Sequence, residues 1–254
     1  MDRPAEAPAP DYRPYGWRAR LGLIVPTTNT VNEAEWARMA PEGVTFHTAR
    51  IRLHAATDPQ LLEDLGAALA SLAPCRPDAI AYACTAGSLT DDLDELPRFM
   101  VARQGVPAVA TGPAIVHALR ALGAARITLV TPYHEALTLH ERDFLGRHGI
   151  ETLAIRNLGY GANGPAEFMR IAQTPPQVVY RLAREAHHPD AEALLLSCTD
   201  LPSCAIVDAL EKELGRPVVT SNHATLWAAL GCAGSTSPVE GHGRLLALPP
   251  NRPR

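Results

Sequence analysis

Ala79-Ile-Ala-Tyr-Ala-Cys84-Thr85 and Ala193-Leu-Leu-Leu-Ser-Cys198-Thr199 are the stretches that decide the fold of this 254-residue chain. Each is a charge-free apolar run closing on Cys-Thr, the pattern of a strand buried on both faces whose carboxyl end meets polar residues. The two cysteines lie 114 residues apart, and two further pairs match at nearly the same shift in the same order. Arg20-Leu-Gly-Leu-Ile-Val-Pro26 matches Arg126-Ile-Thr-Leu-Val-Thr-Pro132 at an offset of 106, and Gly105-Val-Pro107-Ala-Val matches Gly215-Arg-Pro217-Val-Val at 110. Chance could supply any one of them; three in order predict an internal repeat.

Outward from these runs, strands are predicted at 21–25, 79–83, 108–110, 127–130, 152–155, 193–196 and 218–219. Helices with apolar spacings of three and four are predicted at 61–72, 115–122, 135–148, 176–187 and 206–214. Strand alternating with helix gives an α/β fold of two pseudo-symmetric lobes, each a mostly parallel sheet flanked by helices, with the active site in the cleft between them. The boundaries expected are a Pro-rich arm at 1–19, a first lobe at 20–125, a second at 126–231 and a tail at 232–254. The last helix and the tail are expected to pack back on the first lobe.

Composition narrows the function classes. Hydrophobic residues make up 46% and charged residues 20%, which suits a packed globular body, and a formal charge of −4 leaves no electrostatic footprint for nucleic acid. No apolar run is long enough for a membrane span, and the Pro-rich, charged start lacks the core of a signal peptide, so no membrane partner and a cytoplasmic location are expected. Five cysteines, with no C-x-x-C pair and no zinc-type spacing, predict free thiols rather than a disulfide framework or a metal site.

Cys84 and Cys198 are set apart by the repeated strand-Cys-Thr context; Cys75, Cys204 and Cys232 lack it and read as small buried hydrophobes. A thiol at a strand end leading into a helix start gains from unpaired amides and the helix dipole, which lower its pKa toward the thiolate. Two such thiols across a cleft would flank a planar substrate, a geometry suited to proton transfer or covalent addition at a trigonal carbon. Thr27, Thr28, Asn29 and Thr30 follow the first strand, and Thr85, Ser88, Thr199, Ser221 and Asn222 follow others. Together with helix-start amides they can hold carboxylate oxygens without a lysine or arginine, although each singly is more often a cap or a turn residue.

The run from Tyr15 to Thr30, with Cys84-Thr-Ala-Gly-Ser88, Thr131-Pro-Tyr133, Ser197-Cys-Thr199 and Gly215-Arg-Pro-Val-Val-Thr-Ser-Asn222, resembles the maleate isomerase and arylmalonate decarboxylase branch of the aspartate/glutamate racemase superfamily. The resemblance covers nearly the whole chain after the arm. Decarboxylases of the branch typically keep only the second cysteine, so retaining both implies a cofactor-independent cis-trans isomerase acting on maleate or a similar small dicarboxylate. It implies Cys84 as the nucleophile that adds to the alkene and Cys198 as the residue that manages the proton on the opposite side. Asn29, Tyr133 and Asn163 match positions that hold the substrate carboxylates, with Thr28, Thr85 and Thr199 beside them. A homo-oligomer is also implied. His223 stands where the branch often has glutamine, a departure that bears on the substrate.

Other readings stay open on the sequence: an amino-acid or hydantoin racemase, an arylmalonate-type decarboxylase, an ectoine-utilisation relative, or a non-catalytic small-molecule binder, against which the paired thiols argue. Gly159-Tyr-Gly161-Ala-Asn-Gly164 matches a dinucleotide fingerprint literally. Pro165 follows it, the preceding strand is expected to end at Arg156-Asn157, and no acidic residue closes a following strand, so it is set aside. His187-His188 reads as a solvated helix-to-strand turn rather than a metal site.

Overall fold

The computed structural model describes residues 13–250, so most of the Pro-rich arm lies outside the described residues. Its inner end is tied down: Arg13 makes two hydrogen bonds of 3.0 and 2.9 Å to Asp78, whose carboxylate also accepts from the Arg20 amide at 2.8 Å.

The first lobe runs β1 (Ala19–Pro26), α1 (Asn32–Met39), β2 (Val44–Ile51), α2 (Gln60–Leu72), β3 (Ala79–Tyr82), α3 (Glu95–Gln104), β4 (Ala108–Ala110), α4 (Thr111–Ala121). The second repeats the alternation as β5 (Arg126–Tyr133), α5 (Glu135–Arg147), β6 (Glu151–Tyr160), α6 (Pro176–Ala186), β7 (Ala193–Leu196), α7 (Val207–Leu214), β8 (Val218–Thr220), α8 (Ser221–Cys232), followed by the short α9 (Gly243–Leu246). Two four-stranded sheets result, ordered β2-β1-β3-β4 and β6-β5-β7-β8, with every pairing parallel. In each sheet the chain reverses direction beside its first strand, which opens a crevice between β1 and β3 and another between β5 and β7, where ligands of open parallel sheets bind.

The predicted strands are all present, but β2 and the helices α1 and α3 were not foreseen. β2 (VTFHTARI) is an edge strand, half-buried along most of its length, so it mixes threonine, histidine and arginine with its apolar residues, unlike the uniformly apolar β3 and β7. β6 is longer than expected: it continues through Arg156-Asn157 to Tyr160, so the glycine pattern at 159–164 begins inside a strand.

One apolar core joins the lobes. Leu21, Leu23 and Ala81 of the first sheet share it with Ile127, Leu129 and Leu195 of the second, and α4 packs on α8 between them. Outer clusters under α2 and α3, and under α6 and α7, close the far faces of the sheets. The last long helix, α8, does pack on the first lobe, against β1, β3, β4 and α4. Farther along the tail, α9 sits on α7, α8 and β8 of the second lobe, with the buried Leu245 and Leu246 as its anchors. The helix is four residues long, so its apolar face is limited to Leu245 and Leu246.

The docking of Cys84's loop on α4 is close enough to test. The Gly112 amide donates to Ser88 Oγ at 2.8 Å, and a Cβ on Gly112 would stand 2.4 Å from the Ser88 carbonyl oxygen. Gly112→Ala is therefore expected to cost about 1–3 kcal/mol of stability by overpacking, read as a lower urea midpoint with unchanged slope.

Candidate active site

Each thiol sits two residues past the end of a central strand, Cys84 after β3 and Cys198 after β7, and both are buried, at 3% and 7% exposure. The expectation that a helix start would lower their pKa values is overturned. Cys84 is followed by a single 3-10 turn (Ala86–Ser88), and Cys198 by a loop reaching the 3-10 turn Cys204–Ile206, so no long helix follows either thiol directly. One amide serves each: Gly87 N–H to Cys84 Sγ and Asp200 N–H to Cys198 Sγ, both at 3.4 Å. Burial outweighs them and pushes both thiols up, Cys198 far above its ordinary range, and the Asp200 carboxylate raises both further. A tyrosine opposes this at each site. The Tyr133 hydroxyl lies close enough to Cys198, and the Tyr82 hydroxyl, with no well-directed partner of its own, close enough to Cys84, to favour the thiolate.

The threonines of the two Cys-Thr pairs reach across the lobe interface. Thr85 Oγ1 pairs with Ser221 Oγ at 2.9 Å, and the same Ser221 oxygen accepts from the Cys198 amide at 2.9 Å. Reciprocally, Thr199 Oγ1 donates to the Ala83 carbonyl and accepts from Asn29 Nδ2, each at 3.1 Å. Behind them Asn222 Nδ2 donates to Glu35 and to the Thr199 carbonyl, while the buried Glu35 accepts from the Ser203 and Cys204 amides. Burial raises the Glu35 pKa and these hydrogen bonds hold it down. Satisfied buried networks of this kind fix one arrangement of the elements that carry them, here the two thiol loops.

A cavity of about 390 Å³ opens between the lobes, lined by Cys84, Cys198, Thr28, Asn29, Thr85, Tyr133 and Thr199. The structure thus brings together both cysteines with Thr28, Asn29, Thr85, Tyr133 and Thr199; Asn163 and, of the wider polar set, Thr27, Thr30, Ser88, Ser221 and Asn222 do not line the cavity. The Asn163 side chain is exposed on the turn after β6, bonded to Glu167 at 3.0 Å. Sequence reasoning placed it by resemblance alone, and the turn it sits on points elsewhere. His223 also stays away from the cavity: it lies fully buried in α8, its Nδ1 2.7 Å from Thr220 Oγ1, with burial driving its pKa down to about 3. Tyr133 arrives through an irregularity, since the β5–β6 register shifts between Thr131 and Tyr133 and so re-aims the residue after Pro132.

Three titratable lining residues were not foreseen: Asp200, His54 and His140. Asp200 follows the second Cys-Thr pair directly and accepts from the Thr30 amide at 2.9 Å; burial lifts its pKa to about 6. His54 follows the unforeseen β2 and is held between Asp58 and Asp64 at 2.8 Å each. Burial opposes its charge, but the two carboxylates raise its pKa on balance. Apolar side chains, among them Leu53, Leu137 and Phe168, complete the wall, and no lysine or arginine lines it. Among the described residues no group of histidines, cysteines and carboxylates is arranged to hold a metal ion, and no helix is long and apolar enough to cross a membrane.

Comparisons with known proteins agree with this geometry. The chain is 29% identical over 244 residues to the maleate isomerase of Nocardia farcinica, covering 89% of this chain and 95% of that protein. It is 27% identical over 239 residues to the arylmalonate decarboxylase of Bordetella bronchiseptica, at 89% and 95% coverage. Among solved structures, a Cys-to-Ser variant of the Nocardia farcinica maleate cis-trans isomerase with a covalently bound succinylcysteine intermediate superposes with a TM-score of 0.79 at 26% identity, covering 90% of this chain and 98% of that one. The family model described as arylmalonate decarboxylase matches residues 21–246, from the first strand to the last helix, and the chain belongs to that family.

Proposed function

We propose that the protein is a cofactor-independent cis-trans isomerase that converts maleate, or a similar small cis-dicarboxylate, to its trans isomer by reversible addition of the Cys84 thiolate. The observation that carries the reading is the pair of buried thiols at equivalent strand ends, lining one cavity, each with an amide and a tyrosine beside it. The relative with a succinylcysteine intermediate supports the covalent route. In that route Cys84 gives up its proton, the thiolate forms a C–S bond to one alkene carbon, and the displaced electron pair passes to the adjacent carbon and its carboxylate. Cys198 donates its proton to that carbon and takes it back after the new single bond has turned, and the C–S bond then breaks to leave the trans alkene. Asn29, Thr28, Thr85 and Thr199 supply neutral donors for the carboxylates. Tyr133 is placed to donate to the oxygen that gains charge on addition.

Retention of Cys84 favours this reading over a decarboxylase, and the paired thiols favour catalysis over simple binding. The deciding experiment supplies maleate, fumarate, aspartate, glutamate, an arylmalonate and hydantoins without cofactor and follows products by NMR; turnover of an amino acid but not of maleate would replace the isomerase by a racemase. Because burial and Asp200 both hold the thiols protonated, kcat/KM for maleate is expected to climb between about pH 6 and pH 9 rather than peak below neutrality. A profile that falls over that range would remove thiolate formation from the mechanism. No disulfide joins the cysteines among the described residues, which suits a reducing compartment, and with this reading go a cytoplasmic location and a homo-oligomeric assembly.

A further inference from the structure

Glu141 is a buried titratable group that the addition chemistry does not use. It lies on α5 at 1% exposure; its Oε1 accepts a hydrogen bond of 2.5 Å from Ser197 Oγ, and its Oε2 has no partner among the described residues. Ser197 directly precedes Cys198, whose φ of 124° lies in a region that residues other than glycine rarely occupy. The Cys198 amide is fixed from the other side by Ser221. The strained residue is therefore clamped between two hydrogen bonds. The first lobe has no such device: Ala83 stands where Ser197 does, and Cys84 has an ordinary negative φ.

The groups facing this carboxyl are few. From β5 it meets Tyr133, whose phenol is pushed well up by burial first and then by the charges of Cys198 and Glu141. On α5 itself His140 lines the cavity and Arg142 pairs with Asp143 on the exposed side, while Arg156 of β6 is exposed and bonded to the Ile155 carbonyl. None of these shifts Glu141. Burial lifts its pKa to about 7, and the Ser197 hydrogen bond opposes that.

We propose that Glu141 is a positioning residue for Cys198: through Ser197 it holds the strained turn that aims the second thiol into the cavity, and through Tyr133 it couples that thiol's proton transfers to its own charge. When Glu141 ionises, the added negative charge disfavours a phenolate or thiolate beside it; when it is neutral that opposition is absent. Glu141→Gln keeps an acceptor for Ser197 but cannot ionise, and Glu141→Leu removes the acceptor.

The inference rests on the isomerase reading only for its kinetic arm, so the primary readout is alkylation. The rate of iodoacetamide reaction at Cys198, followed by peptide mass spectrometry across neutral pH, is expected to rise less steeply in the wild type above the pH at which Glu141 ionises. In Glu141→Gln it should rise without that bend and be several-fold faster on the alkaline side. Glu141→Leu should change Cys198 alkylation at every pH while leaving Cys84 alkylation as it was, and should lower kcat for maleate by about 10- to 100-fold with little change in KM. Most of that loss should return in Glu141→Gln at neutral pH. Superposable Cys198 profiles for the wild type and Glu141→Gln would overturn the proposal, as would unchanged Cys198 reactivity in Glu141→Leu. If the leucine variant does not fold, the comparison of wild type with glutamine decides alone. If the wild type leaves maleate untouched, the isomerase reading falls and the alkylation profiles still decide this one.

Discussion

Replacing Cys84 with alanine is expected to lower maleate turnover by about 10⁴-fold or more, since loss of a covalent nucleophile removes the reaction path itself rather than one contribution to it. The structure narrows the alternatives to this residue. Cys75, Cys204 and Cys232 do not line the cavity, so Cys75→Ala, Cys204→Ala and Cys232→Ala should keep most of the activity. Cys84 is a buried small side chain, and its truncation leaves in place the cross-lobe bond of Thr85 to Ser221 and the bonds of Ser88 to the Cys84 carbonyl and the Gly112 amide. Loss of activity with a thermal midpoint close to the wild type would therefore report chemistry, not unfolding. Full activity in Cys84→Ala would remove covalent addition by this thiol and move the protein to the decarboxylase-like reading, in which the second thiol alone acts.

What could be read from the sequence was what the chain repeats. The buried central strands are uniform apolar runs, and the two Cys-Thr ends stand at equivalent places in equivalent sheets, so pattern alone located both thiols. The unforeseen elements have a common cause: β2 is a mixed edge strand, and α1 and α3 carry glutamates and arginines in every turn, so their apolar stripes are narrow. His54 was lost with β2. Asp200 was adjacent to a recognised motif, but a carboxylate in a pocket meant for anions contradicts the simplest sequence expectation. Its role became visible only when the Thr30 amide was seen to hold it. The thiol pKa values were misjudged for a different reason. Sequence shows that a strand ends and polar residues follow, but not whether the next turn is a long helix or a single 3-10 turn, and burial cannot be weighed without coordinates.

Trapping substrate on the enzyme separates covalent addition from proton exchange, the point on which an isomerase and a racemase of this family differ. A racemase takes a proton from an sp3 carbon with one cysteine and returns one with the other, so its product acquires solvent deuterium and no bond to sulfur ever forms. Addition by Cys84 instead requires an adduct. Its lifetime depends on the partner thiol, because elimination needs the proton beside the new carboxylate carbon to be removed from the opposite face. Cys198, whose amide is fixed by Ser221, is the group proposed to do so. In Cys198→Ser the weaker acid-base group should leave addition possible and slow the return, so adduct should accumulate. We expect intact-protein mass spectrometry of Cys198→Ser after incubation with maleate to show a gain of one dicarboxylic acid, and peptide mapping to put it on Cys84. Cys84→Ala carried through the same incubation should show none. If the active wild type and the serine variant never carry the adduct while product formed in D2O gains deuterium at carbon stoichiometrically, the two thiols exchange protons only, and the racemase mechanism stands in place of addition.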